Sequence, residues 1–201
     1  QESARMKVLV EDLLLLARAD AGRLPMEREI VELDEVCRQA VRAYEALARE
    51  RDVALRACLP REALLVLGDE GRLGQVLRNL LDNALRHTPT GGMVTVTVER
   101  EHVSGHAAGN GHVVLRVRDT GPGIDPRERE QVFERFHRAH PEWPADGQRA
   151  GSGLGLAICR AIVQAHGGQI RVADGGTEPT GTLEGGTEFI ISLPEVRARA
   201  S

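Results

Sequence analysis

Asn79 and Asn83 are two side chains whose type and spacing suit metal and phosphate chemistry. They stand four residues apart, so on a helix both carboxamides share one face. A carboxamide oxygen is a hard, neutral ligand of the kind that magnesium accepts while the ion also bridges phosphate oxygens. Arg86 and His87 follow, where the guanidinium would face phosphate and the imidazole the edge of a nucleotide, unless both are solvated residues at a helix end.

Asp119 ends a predicted strand and is followed by Gly121 and Gly123. An ionised carboxylate only accepts hydrogen bonds. Adenine offers an amino donor where guanine has a carbonyl, and a buried mismatch of two acceptors costs about 1–3 kcal/mol. The sequence therefore predicts that Asp119 reads adenine and that the site prefers ATP to GTP. The two glycines allow the backbone to approach the base closely.

A third glycine motif precedes a predicted helix. Gly151, Gly153 and Gly155 alternate with other residues, among them Leu154 and Leu156. Exposed amides and the positive end of the helix dipole together favour a phosphate group. The spacing is G-x-G-x-G rather than G-x-G-x-x-G, and no βαβ context supports a dinucleotide-binding fold.

The sequence has a single lysine, Lys7, far from any glycine-rich segment. A Walker A loop needs a lysine directly after its glycines, and a protein kinase of the common fold needs one on its third strand. Both of these classes are therefore excluded. Any phosphate transfer by this chain must proceed without a lysine that clamps the phosphates.

Alternating strands and helices must position these groups. The periodicity predicts helices at 1–21, 34–51, 69–86 and 153–166, and strands at 28–33, 53–59, 64–67, 93–99, 113–118, 169–173 and 188–193. Asp34 is predicted to cap the second helix. The fold class is α/β (α+β): a two-layer sandwich in which a mixed β-sheet carries helices on one face, preceded by one long helix.

The first helix carries an apolar stripe formed by Met6, Leu9, Leu13 and Leu16, a pattern suited to a neighbouring helix. Gly22 and then a proline end it. Packing of this helix on its own domain is the alternative. We expect two parts: residues 1–22 as a partial helical hairpin and residues 23–201 as the domain that binds nucleotide.

Composition excludes several other functions. The chain has 201 residues and a net charge of −4, which gives no general attraction to nucleic acid or to an anionic membrane. Aromatic residues make up only 2%, too few for a platform on which bases stack. No apolar run approaches the roughly 20 residues that span a bilayer. We expect contact with neither nucleic acid nor membrane.

Four segments occur in one order: 79–84 (NLLDNA), 119–123 (DTGPG), 151–156 (GSGLGL) and 185–189 (GGTEF). Together they resemble the N box and the successive glycine boxes of the sensor histidine kinases, whose ATP site is built on the Bergerat fold. The resemblance implies ATP and Mg²⁺ as cofactors and Asn83 as the metal ligand. In gyrase, Hsp90 and MutL, the position of Asn79 holds a glutamate that activates water. Asparagine cannot accept a proton, which favours a kinase.

The resemblance extends to segments that would close over the nucleotide. Residues 133–136 (FERF) resemble the F box, and the stretch from there to Gly151 resembles the mobile lid of the family. Arg135 and Arg138 are placed by this resemblance to reach the γ-phosphate, where a guanidinium stabilises charge during transfer. Thr187, in the last glycine box, is expected to support the phosphate loop through its hydroxyl.

Sensor histidine kinases phosphorylate a histidine within a segment resembling His-Glu/Asp-x-x-x-Pro. None of the seven histidines of this chain lies in such a segment: 87, 102, 106, 112, 137, 140 and 166. We therefore expect the chain to donate phosphate to a dimerisation helix that it lacks, for onward transfer to a response regulator. The expected partners are that helix, the response regulator and a second copy in the full-length homodimer. The fragment itself is expected to be a monomer or weak dimer from the cytoplasmic portion of an anchored protein.

Two alternatives use the same fold. One is a hydrolytic ATPase of the gyrase and Hsp90 kind, which the asparagine at position 79 disfavours. The other is a nucleotide-binding regulator or an anti-sigma serine kinase. The helix at residues 1–21 disfavours the anti-sigma class, since that family has no such hairpin.

Overall fold

The structure is a computed structural model that describes residues 2–101, 111–137, 152–174 and 185–196. Four α-helices and seven strands form in this part of the chain: α1 Glu2–Asp20, β1 Glu29–Glu32, α2 Leu33–Glu50, β2 Ala54–Cys58, β3 Leu65–Gly68, α3 Glu70–His87, β4 Met93–Glu101, β5 His112–Asp119, α4 Gly155–Ala165, β6 Gln169–Asp174 and β7 Thr187–Pro194. A short 3₁₀ helix, Gln131–Phe133, lies between β5 and α4. Each predicted helix and strand is present, with bounds that differ by at most two residues.

The main sheet has five strands in the order β2-β4-β5-β7-β6. β2 pairs with β4 in parallel, and the other pairs are antiparallel, so the sheet is mixed as expected. Val94, Val96 and Val98 of β4 are buried, whereas the alternating threonines are half-buried. This alternation directs one face of the sheet toward the helices. The predicted fold class is confirmed.

β1 and β3 form a separate two-stranded antiparallel sheet. The sequence pattern does not predict this separation, because short strands give no information about their partners. The small sheet is tied to the end of β7 by a bridge between Val66 and Glu195. Its exposed face carries the cross-strand partners Ile30 and Leu67.

Helices α3 and α4 supply the centre of the core. Leu77, Leu80 and Leu81 of α3 and Ile158 and Ile162 of α4 are fully buried. The two helices pack against each other, and each also contacts the main sheet. Burial of an aliphatic side chain of this size stabilises the fold by about 1.5–3 kcal/mol, so the relative position of α3 and α4 is strongly determined.

Asp34 does not cap helix α2. The N-cap position is Glu32, whose side chain makes no capping hydrogen bond. Asp34 is buried in the first turn, where its Oδ1 accepts a hydrogen bond from the backbone N–H of Leu64 at 3.1 Å. The carboxylate therefore joins α2 to the segment before β3, a long-range role that a local capping rule cannot anticipate.

Helix α1 packs on α4 through its last turns. Leu15 and Leu16 are buried there, and Leu9 is partly buried against the same core. Met6 and Leu13, two members of the predicted stripe, are exposed instead. The helix ends where expected, and Gly22 adopts a φ of 64°.

Candidate nucleotide site

A cleft of about 420 Å³, open to solvent, lies between α3, the end of β5, the 3₁₀ helix and α4. The residues that line it are Asn83, His87, Asp119, Pro122, Gly123, Ile124, Val132, Leu156 and Thr187. Six of the predicted site residues are therefore brought to one cleft from four separate segments of the chain.

Asp119 is the buried carboxylate of the cleft, with 1% of its surface exposed. Its Oδ1 accepts hydrogen bonds from the backbone N–H groups of Gly121 at 2.8 Å and Thr187 at 3.3 Å. Burial raises the pKa of Asp119 to about 6, and the two backbone N–H groups partly offset that rise. The carboxylate is thus held in one orientation and remains ionised at neutral pH.

Glycines allow the backbone to close around Asp119. A β-carbon at Gly121 would lie 2.7 Å from the carbonyl oxygen of His87. A β-carbon at Gly186 would lie 2.1 Å from the carbonyl oxygen of Asp119, and Gly186 also adopts a φ of 105°. Gly186 was not predicted as a site residue, although it stands in the fourth motif. Its role depends on the pairing of β5 with β7, which the sequence does not reveal.

Helix α3 directs its predicted residues to two places. Asn83 and His87, one helical turn apart, line the cleft. Asn79 instead points its amide at α4, where Nδ2 donates to the carbonyl oxygen of Gly155 at 3.1 Å. Arg86 lies exposed in the last turn and is not among the residues that line the cleft.

The glycine motif before α4 has a defined backbone. The helix begins at Gly155 rather than at Gly153. Gly153 adopts a φ of 72°, and its carbonyl oxygen accepts from the backbone N–H of Phe136 at 2.9 Å. Leu154 is fully buried in the core, whereas Leu156 lines the cleft. Gly151 lies outside the described residues.

The F-box segment is anchored in the core. Phe133 is buried edge-on against Phe189, with ring centroids 6.3 Å apart, and the guanidinium of Arg160 lies 4.4 Å from the centroid of Phe133. Arg135 forms an ion pair with Asp20 of α1 and is not among the residues that line the cleft. Arg138 and most of the predicted lid lie outside the described residues.

Thr187 lines the cleft beside Asp119. It is buried, and its backbone N–H bonds to Asp119. Support of the phosphate loop by its hydroxyl therefore stays a prediction.

Three lining residues were missed. Pro122 lies within the second motif and Ile124 directly follows it, and their position next to Gly123 was a usable signal. Val132 comes from the 3₁₀ helix, for which no periodic pattern exists in so short a segment. Within the described ranges, no helix combines the length and the apolar character needed to cross a membrane.

Comparison with known proteins identifies the family. Residues 68–197 match the family model described as histidine kinase-, DNA gyrase B-, and HSP90-like ATPase. The probable sensor histidine kinase TcrY of Mycobacterium tuberculosis (strain ATCC 25618 / H37Rv) is 41% identical over 193 residues, which cover 96% of this chain and 36% of TcrY. The sensor histidine kinase CusS of Escherichia coli (strain K12) is 35% identical, with 96% and 36% covered. The chain thus spans little more than a third of these relatives.

Solved structures agree with the sequence relatives. The mycobacterial sensor histidine kinase MprB is 34% identical and superposes with a TM-score of 0.64 over 85% of this chain and 99% of that one. Full-length ShkA, solved in complex with AMPPNP, is 31% identical and superposes with a TM-score of 0.75 over 98% of this chain and 37% of ShkA. The chain belongs to the histidine kinase-, DNA gyrase B- and HSP90-like ATPase family, and within it to the ATP-binding catalytic domains of the sensor histidine kinases.

Proposed function

We propose that this chain binds Mg²⁺-ATP and donates the γ-phosphate to a histidine on a dimerisation helix that lies outside it. The phosphate then passes to a response regulator. The observation that carries the proposal is the buried Asp119 carboxylate, which shares one cleft with Asn83 of the N-box helix. In this proposal, Asp119 recognises the base and Asn83 binds the metal.

The base end of the cleft supports selectivity for adenine. The carboxylate of Asp119 is held by backbone N–H groups from two strand ends, so it is pre-organised as an acceptor. Ile124, Val132 and Leu156 give the same region apolar walls. An amino donor on the base satisfies the carboxylate, whereas the carbonyl of guanine faces it acceptor to acceptor.

The metal would be held by Asn83 together with the phosphates of ATP. Asn83 is half-buried on the wall of the cleft, and a single neutral oxygen ligand suits Mg²⁺, which retains several waters. When bound, Mg²⁺ neutralises charge on the phosphate oxygens during transfer. His87, one turn further along α3, lines the same wall.

The described residues that line the cleft do not favour the activation of water for hydrolysis. Among the described residues that line it, Asp119 is the sole carboxylate, and backbone N–H groups hold it in place. The side chain of Asn79 has no basic group, and its amide donates a hydrogen bond to the backbone of α4. These features support a domain that keeps ATP intact until an acceptor histidine arrives.

Helix α1 supports a place in a dimerisation hairpin. One face packs on α4 through Leu15 and Leu16, while large apolar side chains remain exposed on the rest of the helix: Met6, Val8, Val10, Leu13 and Leu14. A helix that is apolar on more than one face is expected to pack against more than one neighbour. We assign residues 1–22 to the partial hairpin, 23–201 to the catalytic domain, and the homodimer to the full-length protein.

The relatives support the same assignment. TcrY is described as a probable sensor histidine kinase and MprB as a sensor histidine kinase, and ShkA was solved with AMPPNP, an analogue of ATP. By analogy, the chain works on the cytoplasmic side of the membrane, where ATP and response regulators are found.

The test mixes the chain with γ-labelled ATP and a separate polypeptide that carries a histidine hairpin. Label should appear on the hairpin as a phosphate that is lost in acid and stable in base, as expected for an N–P bond. Steady release of phosphate without an acceptor would support a hydrolytic ATPase instead. Acid-stable phosphate on a serine of a partner would support a serine kinase.

A further inference from the structure

Asn79 links helices α3 and α4, which pack against each other and both contribute residues to the cleft. Its Nδ2 donates to the carbonyl oxygen of Gly155, the first residue of α4, at 3.1 Å. The two residues are 76 positions apart in the sequence. One turn after Asn79, Asn83 lines the cleft from α3, and one residue after Gly155, Leu156 lines it from α4.

We propose that Asn79 is a positioning residue, which fixes the first turn of α4 and acts on the nucleotide through the backbone of Gly155. The inference rests on the proposed ATP-binding function and adds a role for the first asparagine of the N box. In this arrangement the two asparagines have different roles. Asn83 faces the ligand, and Asn79 holds the helix end that faces the phosphates.

The start of α4 needs such a tether because the chain before it is unusual. Gly153 has a positive φ, and a β-carbon there would lie 2.8 Å from the Cα of Phe136. The first internal bond of the helix runs from the N–H of Ile158 to the carbonyl of Leu154 at 2.9 Å. The carbonyl of Gly155 comes next, so a bond to Asn79 fixes the orientation of the first turn. That orientation decides where the N-terminal amides point.

The contact requires a donor. The carbonyl of Gly155 can only accept, and an amide nitrogen supplies the hydrogen. A carboxylate at position 79 would place a charged acceptor against that carbonyl and push the two helices apart locally. Neutral asparagine is therefore required at this position for a reason separate from its inability to act as a base.

The surroundings keep Asn79 in place. Cys159, one turn along α4, packs against Asn79 and also lies 3.7 Å from the carbonyl oxygen of Val76. Burial raises the pKa of the Cys159 thiol to about 12, so this neighbour does not titrate near neutral pH. Leu80 and Ile158 seal the same interface and are almost fully buried.

Asn79→Asp, Asn79→Ala and Gln75→Glu test the proposal. Gln75 lies one turn earlier on α3, and its Oε1 accepts from Arg72 at 3.1 Å, a bond that a carboxylate preserves. Gln75→Glu is thus a matched amide-to-acid control. Calorimetry at pH 8 should show about a tenfold loss of ATP affinity for Asn79→Asp, and no loss for the control.

The pH profile separates positioning from a general structural defect. As the pH falls, the aspartic acid at position 79 becomes protonated and regains a hydrogen that it can donate to Gly155. The affinity of Asn79→Asp, divided by that of the wild type, should therefore recover toward pH 5. Asn79→Ala should stay weak at every pH. A ratio that does not change with pH, or equal losses for both variants throughout, would overturn the proposal.

A second measurement needs no ligand. Amide hydrogen exchange at residues 155–159 should be faster in Asn79→Ala than in the wild type, with exchange in the middle of α3 unchanged. Unchanged exchange at the start of α4 would also overturn the proposal. If the wild type itself binds no ATP, the proposed function fails, and the exchange result still decides whether Asn79 positions α4.

Discussion

Arg135 and Asp20 form an ion pair that joins the F-box segment to the last residue of helix α1. The arginine that the resemblance places near the γ-phosphate thus contacts helix α1, which we propose to be part of a dimerisation hairpin. Both side chains are about half exposed, at 43% and 60%. The contact therefore lies on the junction between the two proposed parts of the chain.

An exposed ion pair of this kind contributes little to stability. We expect a double-mutant cycle with Asp20→Asn and Arg135→Gln to give a coupling free energy below about 1 kcal/mol in urea unfolding. The coupling should fall further in high salt because exposed charges are screened. A coupling of several kcal/mol would mean that the pair is a principal anchor of α1, against the packing of Leu15 and Leu16 described above.

The affinity for the adenine base should depend on pH through Asp119. Burial raises the pKa of its carboxyl to about 6, so the ionised acceptor is fully present above that pH and is lost below it. Adenosine carries no phosphate that titrates, and its affinity should fall as the pH drops through about 6. An affinity for adenosine that stays constant from pH 8 to pH 5 would contradict the role of Asp119.

The contribution of Asp119 to the stability of the unliganded protein should have a pH dependence opposite to that of the adenosine affinity. The folded-state pKa of Asp119 lies above the usual value of 3.8 for an aspartate. The contribution of this group to stability is therefore fully present below pH 3.8 and is lost as the pH rises through about 6. Asp119→Asn removes the buried charge and retains an oxygen that accepts from Gly121 and Thr187. At pH 8 the variant should be more stable by about 1–3 kcal/mol in urea unfolding; a less stable variant would contradict this.

Gly186→Ala should disrupt the base end of the cleft, with Gly91→Ala as its control. Both glycines have positive φ, at 105° and 80°, so both variants carry backbone strain. Only at Gly186 does the new β-carbon meet another atom, the carbonyl oxygen of Asp119, whereas nothing lies within 4 Å at Gly91. We expect Gly91→Ala to lose about 1 kcal/mol of stability and keep its ATP affinity. Gly186→Ala should lose ATP affinity as well, and equal affinities in calorimetry would contradict the proposed packing.

The sequence predicted what depends on local patterns. Helix α3 has a clear apolar periodicity, so Asn83 and His87 could be predicted to lie on one face, and both line the cleft. Asp119 could be selected as a candidate because it ends an alternating strand and precedes glycines that permit close approach. Such local signals can be recognised without knowledge of the tertiary fold.

Long-range contacts could not be predicted in this way. The bond from Asn79 to Gly155 and the ion pair of Arg135 with Asp20 join residues far apart in sequence. Asp34 has the type and position of a helix cap, yet it bonds to the backbone of Leu64. In each case tertiary packing decides the partner, and residue type alone leaves several partners open.

Calorimetric titration with ATP and with GTP in magnesium, on the wild type and on Asp119→Asn, tests the central claim most directly. We predict that the wild type binds ATP selectively and that the variant stays folded but loses this selectivity, since its amide offers a donor toward the amino group of adenine. Equal affinity of the wild type for both nucleotides, or retained selectivity in Asp119→Asn, would contradict the assignment of this cleft as an adenine-reading ATP site.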